Sequence, residues 1–109
     1  MGQRIYLGEF EELILLLVGV LYDDAYAVAI KAELATQLGR NVNISAIHSA
    51  LRRLEEKGFA RSEMGEPTTK RGGRRKRLFS LTQSGKIALD ENRTIRNQLW
   101  QQIPDISFS

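Results

Sequence analysis

Residues 44–81 read ISAIHSALRRLEEKGF, then ARSEM, then GEPTTKRGGRR, then KRLFSL, and this stretch decides the fold. In its first part Ile44, Ile47, Leu51 and Leu54 recur at spacings of three and four, the signature of one buried helical stripe. Asn43 is a good N-cap and Gly58 a stop, which predicts a helix over Ile44–Lys57. Ser45, Ser49 and Arg52 then project from the opposite side, with His48 and Arg53 on its flanks. The following residues, Phe59 to Met64, alternate as a strand does, and Lys76 to Leu81 read as its partner. Between them Pro67, Thr68, Thr69 and the Gly72-Gly73 pair suit a hairpin with a long tip.

Working outward, Phe10–Leu21 reads as a first helix whose leucines and valines cover nearly the whole circumference. Such a helix must be buried on more than one side, and in a chain this short a second protomer can supply part of the cover. Asp23 and Asp24 are candidate caps for a second helix over Ala25–Leu38, closed by Gly39, with Val28, Ala29, Ala32, Ala35 and Leu38 as its apolar face. On the other side Thr82 caps a last helix over Gln83–Gln102, ended by Pro104. Leu89, Ile95, Leu99 and Ile103 run down it beside Trp100, and pairing with another chain is the expected use of this face. The expected interface comprises Leu13, Leu17, Ile95, Leu99 and Ile103. The order helix, helix, helix, hairpin, helix predicts a mainly α fold with a small β hairpin: a winged helix-turn-helix over 1–81, with a C-terminal dimerisation helix and tail over 82–109, in one compact domain.

Composition narrows the function classes. The 109 residues suit one domain, and the absence of cysteine excludes disulfides, thiolate metal sites and a cysteine nucleophile. The single histidine leaves a protein metal site without its usual ligands, so neither metal nor cofactor is expected. There is no GxSxG elbow and no phosphate-binding loop, so no enzyme is expected. The longest apolar run, Leu13–Leu21, falls far short of the ~20 residues of a bilayer span. Glu9, Glu11 and Glu12 just before it argue against a signal peptide, and a soluble cytoplasmic protein is expected.

The net charge of +3 is unevenly placed. Residues 61–77 carry seven basic groups against two acidic ones, so the rest of the chain is slightly acidic. A concentrated cationic segment on a near-neutral body points to a polyanionic partner. Lys70, Arg71, Arg74, Arg75 and Lys76 in or beside the hairpin tip would meet phosphates or reach into a minor groove, and Gly72 and Gly73 would let the backbone approach a duplex. On the third helix Asn43, Ser45, His48, Ser49, Arg52 and Arg53 are the candidates for contacts in a major groove. Two further readings stay open: Arg52 and Arg53 pair within the helix with Glu55 or Glu56, and His48 packs instead of touching a base or phosphate. Trp100 either packs an interface or stacks on a planar small-molecule effector.

The chain resembles the PadR family of bacterial transcriptional regulators, through LGEFEELILLLV at 7–18, AYAVAI at 25–30, ISAIHSALRRLEEKGF at 44–59 and GEPTTKRGGRRKRLFSLTQSGKIAL at 65–89. The length is that of the family's short subgroup, with a single C-terminal helix. The resemblance implies a homodimer, built from the last helix against the partner's first, that represses by binding a palindromic site in double-stranded DNA. Some relatives sense small aromatic or cationic compounds near the dimer axis. Two departures stand out: Ala27 where the family usually has glycine, and His48 where it usually has tyrosine. The second lies on the recognition helix and bears on which sequence is read. A rival reading from another class is a winged helix used as a protein–protein adaptor.

Overall fold

The computed structural model describes residues 7–66 and 75–108. Its elements are α1 (Glu9–Leu21), a short 3-10 turn (Tyr22–Asp24), α2 (Ala27–Leu38), α3 (Ile44–Glu56), β1 (Ala60–Met64), β2 (Arg77–Leu81) and α4 (Gln83–Gln102). The strands pair antiparallel, from Ala60 opposite Leu81 to Met64 opposite Arg77. The predicted order therefore stands, as a mostly helical winged fold.

The core is built from one apolar side of each helix. Ile14, Leu15 and Val18 of α1, Ile30 and Leu34 of α2, and Ile47, Leu51 and Leu54 of α3 are buried together, with Phe59 and Phe79 closing the hairpin side. The α1 helix packs against α2, α3, β2 and α4, which explains why its apolar residues wrap so far round. The stripe expected on α3 is the one that is buried, joined by Ala50, and Ile44 packs partly exposed at its end.

The second helix departs from expectation twice. It starts at Ala27, capped by Tyr26 without a side-chain bond, while Asp23 and Asp24 sit in the 3-10 turn. Ala25 is held out of the helix because its carbonyl accepts the Phe79 amide at 2.8 Å, which ties the link before α2 to strand β2. Its core face is also Ala27, Ile30 and Leu34, whereas Val28 is 61% exposed and Ala32, Ala35 and Leu38 face outward. The bulkier Ile30 and Leu34 gain more from burial than the alanines do, since the gain scales with the apolar area removed from water.

At the other end, the junction of α3, the hairpin and α4 is tightly bonded. Gly58, at φ +80°, reverses the chain after α3, in a region where glycine has no Cβ penalty. The Thr82 hydroxyl donates to the Gly58 carbonyl at 2.6 Å and accepts the Gly85 amide at 3.0 Å. The Thr82 amide donates to the Phe59 carbonyl at 3.1 Å. Only Gly85 and Leu89 of α4 are buried, and its far end, from Leu99 on, stands exposed.

Candidate nucleic-acid interface

Asn43 begins α3 as its N-cap: its Oδ1 accepts both the Ser45 amide at 2.8 Å and the Ser45 hydroxyl at 2.7 Å. Two expected contact residues thus hold each other at the helix start, where exposed amides and the helix dipole favour an anion. Lys31 of α2 fixes the segment before them, donating to the Val42 carbonyl at 2.5 Å and to Asn41 Oδ1 at 3.4 Å. Along the outer side of α3, Ser45, His48 and Arg52 are exposed and Ser49 is half-buried. The exposure of His48 sets aside the packing reading for it.

Arg53 does not pair with Glu55 or Glu56. Its Nε donates to Glu11 of α1 at 3.0 Å, and Lys57, one turn further on, reaches the other oxygen of Glu11 at 2.6 Å. Burial alone would raise the Glu11 carboxyl, but the hydrogen bonds and charges of Lys57 and Arg53 hold it below its ordinary range. The two neighbouring carboxylates on α1 form ion pairs too: Glu9 meets Arg40 at 3.5 Å and Glu12 meets Arg96 of α4 at 3.0 Å. Glu55, in turn, accepts from the Ser62 hydroxyl at 2.8 Å, and Ser62 accepts from Arg77 at 3.0 Å, a chain linking α3 to the root of the hairpin.

Of the basic hairpin residues, Arg75 and Lys76 are described and exposed, whereas Lys70, Arg71, Gly72, Gly73 and Arg74 lie outside the described residues. The Lys76 ammonium stands 4.1 Å from the centre of the Tyr26 ring, a cation–π contact that fixes the hairpin root over the start of α2. The Gly65 amide closes the pair by donating to the Lys76 carbonyl at 2.7 Å. Sequence reasoning missed Glu11, Lys31 and Tyr26 as supports of this surface. The acids of α1 were visible in the sequence, but which cation each would meet depends on how the helices cross.

On the expected interface, Leu17 is only 6% exposed and belongs to the chain's own core, and Leu13 is half-buried. The neighbouring Leu16 and Val20 are the apolar residues that α1 leaves open. On α4, Ile95 is half-buried, while Leu99, Ile103 and Trp100 stand clear, Trp100 at 74% exposure.

The model of the transcriptional regulator PadR-like family matches residues 14–91, most of the chain. The chain belongs to the PadR-like family. Its members are transcriptional regulators and not enzymes. Among solved structures, this PadR-like chain is similar to a PadR-like transcription factor from Bacteroides fragilis, 24% identical, with 84% of each chain covered and a TM-score of 0.72. It is similar to a PadR family regulator from Clostridium difficile, 20% identical, covering 86% of this chain and 93% of that one, with a TM-score of 0.68. It also resembles Bacillus subtilis PadR, solved in complex with operator DNA, 23% identical, with a TM-score of 0.64. That match covers 92% of this chain and 53% of the other, so the PadR-like chain spans about half the length of that relative. No curated protein matches closely enough to count as a relative. Among the described residues no single helix is long and apolar enough to cross a membrane.

Proposed function

We propose that this PadR-like regulator binds a palindromic promoter site in double-stranded DNA as a homodimer, acting as a repressor in the cytoplasm. In this reading α3 enters the major groove, with Ser45, His48, Ser49 and Arg52 toward the bases and Arg53 toward the backbone. The basic hairpin, Lys70 to Lys76, grips the flanking phosphates and supplies most of the affinity. Residues 1–81 form the DNA-binding part, and 82–109 the dimerisation helix and tail. Two-fold symmetry then sets the half-sites about one helical turn apart, ~34–36 Å.

The observation that carries this reading is the outer face of α3: Ser45, His48 and Arg52 are exposed on a helix whose other side is wholly core. Operator binding by the Bacillus subtilis relative supports it. An adaptor surface has no need of arginines on both a grooved-helix face and a hairpin. The exposure of Trp100 favours one addition, a planar effector stacked between the two α4 helices of the dimer.

The decisive measurement is a fluorescence anisotropy titration of labelled duplex DNA at low and high salt, with the wild type and with Arg74→Ala, Arg75→Ala. Affinity should fall steeply with salt, and the double variant should flatten the logarithmic slope by about two, at ~0.9 per phosphate. Salt-insensitive or undetectable binding overturns the reading.

A further inference from the structure

We propose that Glu11 is a positioning residue for the DNA interface: from α1, it aims the Arg53 guanidinium of α3 at a backbone phosphate. The inference rests on the DNA-binding reading above and adds a residue that touches no DNA itself.

Glu11 approaches α3 from a different helix, and its side chain is 14% exposed, so the carboxylate end of the pair is partly sheltered from the screening that weakens surface ion pairs. It meets Arg53 through Nε, the nitrogen nearest the aliphatic stem. The bond therefore sets the plane and direction of the fork and leaves its two terminal nitrogens for another acceptor. Half of the Arg53 side chain (49%) remains open to solvent, as such a contact requires. Two cations, Arg53 and Lys57, meet the one Glu11 carboxylate, which fixes where it sits between α1 and α3. Against the opposing effect of burial, Lys57 and Arg53 also hold the Glu11 carboxyl below its ordinary range, which favours the charged form that the anchor needs.

An unanchored arginine must be ordered when it binds, and that ordering weakens association by about two- to tenfold per long side chain. Removing the Glu11 charge should expose this penalty. The opposite role, in which Glu11 competes with phosphate for Arg53, predicts the opposite sign.

The test is a double-mutant cycle on duplex binding, with wild type, Glu11→Gln, Arg53→Ala and the double variant. Glu11→Gln keeps the shape of the side chain and loses its charge. We expect it to weaken binding about two- to tenfold when Arg53 is present and to have no effect beside Arg53→Ala. An equal loss in both backgrounds, or tighter binding by Glu11→Gln, overturns the proposal. A second readout needs no DNA: in the free protein the Arg53 Nε–H should exchange slowly with water by 15N NMR, and quickly in Glu11→Gln. Duplex binding by a wild type whose Arg53 Nε–H exchanges freely overturns the proposal alone. A protected Nε–H in a protein that binds no duplex overturns the functional reading.

Discussion

At Gly85 a single methyl group would meet the Phe59 carbonyl oxygen at 2.1 Å and Leu81 at 3.0 Å. The first of these is backbone, already accepting the Thr82 amide, and cannot swing aside. Gly85→Ala should therefore destabilise the fold by about 1–3 kcal/mol, measured by urea denaturation, despite the better helix propensity of alanine. A wild-type midpoint would show that the α4 start can slide away. Glu11 supports a second prediction. Unfolded, it titrates near 4.5; folded, Lys57 and Arg53 hold it lower against the opposing effect of burial. The contribution of the pair to stability is thus complete above about 4.5 and is lost as pH falls through the folded value. Glu11→Gln should cost stability at neutral pH and progressively less in acid, until the two proteins unfold alike in thermal melts below the folded pKa. A difference that does not change with pH would remove the electrostatic account.

Among the elements, α3 and α4 were the most legible in the sequence, because each carries a strong contrast between apolar and polar positions and a capping side chain at its start. Asn43 and Thr82 both cap as the sequence suggests. The α2 helix was misread for the opposite reason: alanine, valine, isoleucine and leucine lie on both of its sides, so spacing alone fits two faces about equally well. The supports of the candidate interface were less legible still. The Glu11–Arg53 contact joins residues 42 positions apart and exists only once α1 crosses α3. The corrected face of α2 has a measurable consequence. Leu34→Ala, at a fully buried position, should cost about 2–5 kcal/mol in chemical denaturation. Leu38→Ala, on the outer side, should fall within about 1 kcal/mol of wild type. Comparable losses at both positions would restore the face expected from sequence.

For the whole molecule, the radius of gyration is 16.7 Å, whereas a compact chain of this length would have about 13 Å. The α4 helix contributes to the excess: beyond its Arg96–Glu12 pair with α1 it carries exposed Leu99, Trp100 and Ile103 into solvent, followed by Ile106 and Phe108. A row of this kind is the apolar surface that the proposed dimer would cover. Leu99→Glu with Ile103→Glu should convert a dimer into a monomer in sedimentation equilibrium, and should abolish the dependence of the melting temperature on protein concentration. An unchanged mass would place the contact elsewhere. The bonding of Thr82 to the carbonyls of Gly58 and Phe59, with the Gly85 amide on the Thr82 hydroxyl, then acquires a mechanical meaning. In the proposed dimer it would make α4 the arm of a caliper whose jaw is the end of α3. The arm is about 30 Å long at 1.5 Å per residue, so a rocking of ~6° at its hinge displaces the far end by about 3 Å, close to one base-pair step. The stiffness of these three bonds, with the Glu12–Arg96 pair bracing the arm further along, would thus set how finely a pair of these chains can gauge the gap between its two binding points.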